Sequence, residues 1–348
     1  MSRSAFDFAS DNAAIVHPRI FAALAGINTG TASPYGADDV SGTLDALYSR
    51  VFERPVFVFP VPTGTAANGL ALGAISPSYG AIFSHEKAHI VTTECGAPEF
   101  FTTGARLIPM PGSNGKITDS QLSDALAPYR ARNVHHLRAA ALSLAQATDL
   151  GTIYTLDELS TLVRIAHDDG LKVHMDGARF ANAMVRLGCT PAQMSWKAGV
   201  DILSLGTTKN GTMNVEAVIA FDPDTASILR HLHKRAGFLW SKMRYAAAQL
   251  AAYVADDLWI ENAHAANATA ARLVRAIERC PGASLEYGVD ANQIFVHLAP
   301  AALSTLTEAD IRLRPWPHRQ GDLYRIVASF CDSEDLVGRF ETALANVR

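Results

Sequence analysis

The chain has 348 residues, 49% of them apolar and 18% charged, with a formal net charge of −4. That length buries a large core and suits one large domain with a smaller one, and its scattered Lys and Arg give no basic footprint for nucleic acid. Cys95, Cys189, Cys280 and Cys331 fall at no metal-ligand spacing, MSRSAFDFASDN has no apolar signal core, and no apolar run reaches the ~18 residues of a membrane span; free thiols and a cytoplasmic setting are expected.

In chain order, short apolar runs alternate with helical patterns. VFVFP, ending at Pro60, reads as a buried strand and TAANGLALGAI (65–75) as the helix after it. AIFS (81–84), ARLIPM (105–110) and RAAALSLAQ (138–146) are strand candidates, followed by a helix from Leu156 to about Asp169. LKVHMD (171–176), a helix from Ala178, DILSLG (201–206) and VEAVIAFD (215–222) continue the alternation. Such spacing predicts βαβ units and a mainly parallel sheet with helices on both faces. Residues 223–279 read as almost continuously helical; ANQIFVHL (291–298) and LYRIVASF (323–330) read as strands and SEDLVGRFETALANV (333–347) as a closing helix. These changes place a soft boundary near residue 250, with domains 1–250 and 251–348.

Ligands of open parallel α/β sheets bind at the carboxyl ends of strands, so polar residues directly after strands are the candidates. PTGTAAN (62–68) offers Gly64 for a tight turn and Thr65 at a helix start, where free N–H groups take an anion; an ordinary capped helix has the same letters. HMDGAR (174–179) puts Asp176 at a strand end, as a ligand partner or a cap, and Arg179 in a first helical turn, where it opposes the helix dipole. SLGTTKNGT (204–212) puts Lys209 after a buried strand, as a solvated loop charge or as an amine nucleophile. Phosphate cup, strand-end acid and later Lys together are what pyridoxal 5′-phosphate (PLP) requires: donors for its phosphate, a carboxylate for its ring nitrogen, an amine for its aldehyde.

With PYGADD (34–39), HIVTTECGA (89–97), QATDLGTIYTLDEL (146–159), HMDGARFANA (174–183), LGTTKNG (205–211) and ADDLW (255–259) in this order, the chain resembles the low-specificity L-threonine aldolases, in the threonine aldolase and β-eliminating lyase group of PLP enzymes. The resemblance runs from SDN (10–12) to RIVASF (325–330). It implies the PLP-dependent transferase-like fold of type I: a large α/β domain with a mainly parallel seven-stranded sheet and a smaller α+β C-terminal domain. It further implies that Lys209 holds the cofactor as a Schiff base and Asp176 pairs with its ring nitrogen. Gly64, Thr65 and Thr208 would hold its phosphate. Arg179 would sit near the cofactor's 3′-oxygen and the substrate carboxylate, and Ser10 and Arg325 would bind that carboxylate. His89 would stack on the ring near the β-hydroxyl and, directly or through a water, take its proton. Tyr35 would reach the site of a neighbouring subunit, making a homodimer the minimal unit in a family that is often tetrameric. The stretch QATDLG stands where the better-known branch carries an Asn-His pair. The implied reaction cleaves a small L-β-hydroxy-α-amino acid to glycine and an aldehyde; a β-eliminating lyase and an aldolase for bulkier substrates such as phenylserine are the near alternatives.

HEKAH (85–89) matches the zinc motif H-E-x-x-H letter for letter. That motif needs a helix, and here it follows the apolar run AIFS and precedes the β-branched HIVTT, a poor helix former; His85 is then expected to be a loop residue. The basic run HLHKRAGFLWSKMR (231–244) is expected to form a helix covering the cofactor mouth or a subunit interface, and Trp240, Trp259 and Trp316 to serve the core or an interface.

Overall fold

The computed structural model describes residues 6–131, 133–316 and 321–347. Seven strands form the main sheet: β1 (Phe57–Val61), β2 (Gly80–His85), β3 (Arg106–Met110), β4 (Arg138–Ala145), β5 (Lys172–Gly177), β6 (Ile202–Leu205) and β7 (Glu216–Ala220). Their order is β1-β7-β6-β5-β4-β2-β3. The run from β3 to β6 is parallel throughout, and β7 runs antiparallel to both its neighbours. All residues of β2, β6 and β7 are buried, as expected where helices cover both faces and strands read as unbroken apolar runs. The mainly parallel seven-stranded sheet implied by the resemblance is present.

Four short antiparallel strands form the second sheet, in the order β10 (Arg314–Pro315), β11 (Leu323–Val327), β9 (Gln293–Leu298) and β8 (Ala283–Leu285). The helix Leu258–Arg279 joins the two parts. Its first turns bury Leu258, Trp259 and Ala263 in the core under the main sheet, and its last turns bury Ala270, Leu273 and Ile277 in the core under the small one. Residue 250 lies within the preceding helix, Met243–Val254, which packs in the main core.

The stretch 223–279 is almost continuously helical, as expected, and falls into three α-helices. The first ends at Arg235 before Gly237, whose φ of +80° ends it. The second ends at Val254 before Asp256 and Asp257, both in the left-handed region. The basic run 231–244 therefore covers a helix end, a turn and a helix start, and its His233 is buried against the Pro60 carbonyl at 2.7 Å. Trp259 is core, stacked 6.4 Å from Phe180.

The N-terminal segment belongs to both parts. Phe8 packs in the small core against Phe340, and its carbonyl accepts from Val327 N at 2.8 Å. A few residues on, His17 N donates to the carbonyl of Gly211 in the main domain at 2.9 Å. Between these anchors Ser10–Asn12 passes the carboxyl ends of β5 and β6. Among the described residues no helix is long and apolar enough to cross a membrane.

Candidate active site

A cleft of about 270 Å³ opens at those strand ends. Gly64, Thr65, His89, Asp176, Thr208 and Lys209, chosen from sequence alone, all line it, and so do Asn12, Ser204 and Glu216, which were not. Gly206 brings the walls together: a Cβ there would lie 2.4 Å from the Ala178 carbonyl oxygen, so only glycine lets β6 leave the sheet this close to Asp176.

At one end of the cleft the helix Gly64–Ile75 presents its N-terminus. Thr63, not Thr65, is the cap, its hydroxyl accepting from Ala66 N at 3.1 Å. The N–H groups of Gly64 and Thr65 have no partner inside the helix, and open space lies beside Gly64.

Asp176, buried at the end of β5, accepts from Asn68 Nδ2 at 2.9 Å and from Ala178 N at 3.0 Å. Asn68 Nδ2 also donates to Glu94 Oε1 at 2.8 Å, and that oxygen meets His89 Nδ1 at 2.7 Å. Asn68 and the fully buried Glu94 carboxylate thus connect Asp176 to the His89 ring. The Glu94 bond raises the His89 pKa; burial opposes it, and Asp149 and Asp176 add to it. His89 opens a single helical turn, His89–Thr92, despite its β-branched sequence, because Asp149 Oδ2 accepts the His89 N–H at 3.0 Å.

Lys209 sits on a short 3-10 turn after β6. Glu216, buried on β7, accepts the N–H groups of Thr207 and Thr208 and fixes this loop; burial pushes its pKa up, opposed first by the Thr207 N–H. Thr208 Oγ1 donates to the Val215 carbonyl at 3.2 Å, so its hydroxyl proton is engaged within the loop. Among the described residues, Lys209 Nζ takes part in no hydrogen bond or ion pair.

Arg179, Arg325 and Ser10 meet beside the cleft around a residue that sequence reasoning left unassigned, Asp11. Arg179 grips the buried Asp11 carboxylate with two bonds of 2.7 and 2.9 Å, and Asn292 Nδ2 adds a third at 3.1 Å. The position of Arg179, at odds with the helix dipole, is explained by this ion pair. Burial pushes the Asp11 pKa up, but Arg179, Lys209 and the hydrogen bonds outweigh it and hold it below the usual range. Ser10 accepts Asn12 N at 3.1 Å, leaving its own proton free to donate. The Arg325 guanidinium lies 4.6 Å over Trp316 and donates to the Ala9 carbonyl at 3.3 Å. Tyr35 does not line its own cleft; it is half-exposed beneath the Lys234 ammonium at 4.5 Å.

His174, fully buried behind Asp176, is held by Ser143 Oγ and Ser204 Oγ, each at 2.9 Å. Burial pushes its pKa down to about 4, with Asp176 opposing. Between pH 6.5 and about 4 the unfolded chain therefore binds the proton and the folded one does not, so this term stabilises the fold above pH 6.5 and is lost as pH falls through that window. Its size is on the order of 3 kcal/mol. Asp149, raised to about 6, acts with the opposite sign in an overlapping range. Urea unfolding of His174→Asn is thus expected to lose less stability than the parent between pH 6.5 and 4.5; identical pH slopes would contradict the assignment.

HEKAH does not lie on a helix. His85 is the buried last residue of β2 rather than a loop residue. Its Nδ1 accepts Lys87 N at 3.0 Å and its Nε2 meets the Gly112 carbonyl at 3.1 Å, so both ring nitrogens close a turn. Among the described residues no three His, Cys, Asp or Glu side chains are grouped to hold a metal.

Known proteins place this arrangement. The beta-eliminating lyase family matches residues 7–301. The chain is 40% identical over 309 residues to the low specificity L-threonine aldolase of Pseudomonas aeruginosa, covering 89% of this chain and 87% of that one. It is 37% identical over 306 residues to the enzyme of the same name from a Pseudomonas species, covering 88% of each. Leishmania major threonine aldolase superposes with a TM-score of 0.90 at 27% identity, over 98% of this chain and 99% of that one. With seven strands in a mainly parallel sheet, a small antiparallel domain beside them and a lysine, an acid and a helix N-terminus around one cleft, the chain belongs to the beta-eliminating lyase family, among its low-specificity L-threonine aldolases.

Proposed function

We propose that the protein is a PLP-dependent aldolase that cleaves L-threonine, L-allo-threonine and related L-β-hydroxy-α-amino acids to glycine and an aldehyde. The observation that carries this reading is the Lys209 amine, without a partner among the described residues, in a cleft between a helix N-terminus and a buried carboxylate.

The residues fit the cofactor. Gly64 and Thr65 line the cleft at a helix N-terminus whose first N–H groups have no partner inside the helix, which suits a phosphate. Asp176 is oriented by Asn68 and Ala178 N and would keep the ring nitrogen protonated. Lys209 would hold the aldehyde carbon. Thr208 would join the phosphate donors once its hydroxyl turns from Val215. Bound PLP supplies an electron sink conjugated to the substrate's α-carbon.

The chain's own residues do the rest. Arg325, over the Trp316 ring, and Ser10, whose hydroxyl accepts from Asn12 N, would anchor the α-carboxylate. Arg179, with its Nη1 outside the Asp11 grip, would add charge near the cofactor's 3′-oxygen and that carboxylate. Holding the carboxylate fixes the rotation about the α-carbon and so selects the Cα–Cβ bond for cleavage. His89 would stack on the ring, its own ring held by Glu94. The exposed Tyr35, with Ile15 and Phe21 also exposed, suits a homodimer in which it enters the neighbour's cleft, assembled further to a tetramer. The four free thiols suit a reducing cytoplasm.

The test is a visible absorption spectrum with and without glycine, followed by assays on L-threonine. A band that shifts with glycine, together with acetaldehyde release, is expected. Ammonia and a 2-oxo acid in place of acetaldehyde would assign the site to β-elimination, and a colourless protein that stays so with added PLP would overturn the cofactor reading.

A further inference from the structure

We propose that Asp149 is a catalytic residue, the acceptor of the substrate's β-hydroxyl proton, and that His89 serves beside it as a fixed hydrogen-bond donor. The inference rests on the aldol reading above and adds to it the identity of the base.

The turn carrying Asp149 is built to hold one carboxylate still. Gln146 N donates to the Asp176 carbonyl at 2.8 Å, so the chain leaves β4 alongside the ring-nitrogen acid. Thr148 N donates to Thr152 O at 2.8 Å and Gly151 N to Thr148 O at 3.0 Å, closing a tight turn around Asp149. Gly151 has φ +84°, and a Cβ there would lie 2.7 Å from the Gln293 carbonyl oxygen. Asp290 N donates to Gly151 O at 3.1 Å, so the small domain clamps the turn from the other side.

At the head of this turn Asp149 is half-buried. Its Oδ2 accepts the His89 N–H at 3.0 Å, and its Oδ1 takes no hydrogen bond among the described residues. The charges acting on it are Asp176, His89, Lys209 and Arg179, and its own charge acts on Arg325. It therefore lies within electrostatic range of both the groups that would hold the cofactor and those that would hold the α-carboxylate. The β-hydroxyl of a substrate held at both ends projects from the carbon next to these anchors.

His89 is the poorer acceptor. Its Nδ1 is tied to the fully buried Glu94 at 2.7 Å, which favours the imidazolium, and an imidazolium has no lone pair to receive a proton. Asp149 is tuned the other way: burial, then Asp176, raise its pKa to about 6, close to the optimum for a base working near neutrality. In the step, the hydroxyl O–H bond breaks and its proton passes to Asp149. The oxygen's electron pair becomes the second bond of the aldehyde carbonyl. The Cα–Cβ pair stays with the α-carbon, which then takes a proton to become glycine, and Asp149 returns its proton to solvent.

The test separates cleavage from a reaction that needs no β-hydroxyl. The PLP-loaded Asp149→Asn variant and the parent are compared in acetaldehyde release from L-threonine, in exchange of the glycine α-proton for deuterium followed by NMR, and in glycine binding by calorimetry. Cleavage is expected to fall by about 10²- to 10⁴-fold, the range for loss of a general base, with exchange and binding unchanged. Unchanged cleavage, or cleavage and exchange falling together, overturns the proposal. If the variant binds no glycine, the parent's pH profiles decide. An acid limb near pH 6 in threonine cleavage that is missing from glycine exchange supports the role, and the same limb in both refutes it. A parent that exchanges glycine but releases no acetaldehyde fails the aldol reading instead.

Discussion

Lys209→Ala is expected to lower threonine cleavage by on the order of 10⁴-fold or more, the scale seen when an obligatory nucleophile is removed, and to erase the visible band. The same substitution is expected to leave the fold intact. Among the described residues Lys209 Nζ has no hydrogen-bond partner, and its loop is fixed by Glu216, Thr207 and Val215 rather than by the lysine itself. Melting temperature and activity therefore part company in this variant. Steady-state turnover at the parent's rate would refute the role of Lys209. Asp176→Asn is expected to weaken catalysis far more than folding, because Asn keeps the shape and the Ala178 N–H bond, giving up the Asn68 bond and the charge that would hold a proton on the ring nitrogen.

Asp11→Ala is expected to act chiefly on the fold. Removing one partner of a buried ion pair leaves the other charge without compensation, at a cost of about 3–5 kcal/mol. Here the stranded group is Arg179, whose side chain is 11% exposed and whose charge already acts against that of Arg325. Asn292 loses a bond as well. The double variant Asp11→Ala, Arg179→Met should recover part of the loss, since no charge is then stranded, and the cycle of urea melts gives the coupling. Because the Asp11 pKa is held below its usual value, the ion pair contributes above that range and is lost as pH falls through it. A single variant within 1 kcal/mol of the parent, set against the roughly 3–5 expected, would mean that water or a shifted side chain replaces the carboxylate.

The strands of the main sheet were legible because each is an apolar run closed by a turn, and the cleft because parallel sheets gather functional residues at one end. What escaped were residues that act through a partner. Asn68, Glu94 and Asp149 lie inside stretches that the sequence made conspicuous, PTGTAAN, HIVTTECGA and QATDLG, but no spacing rule says that three distant segments converge on one imidazole. Asp11 was hidden for the same reason, its guanidinium partner being 168 residues away. The division of 223–279 into three helices was missed because composition averaged over the stretch conceals single positions. Gly237 and the pair Asp256–Asp257 were the local signals.

The path of the first residues sets the order in which the molecule can be finished. The bond of Asp11 to Asn292 spans 281 positions, and Phe8 must wait for Val327. The main sheet can form while the rest is still being translated. Until the strands of the small sheet are made, Phe8 and the third bond on Asp11 lack their partners, so the Asp11–Arg179 pair is locked against the cleft only late in synthesis.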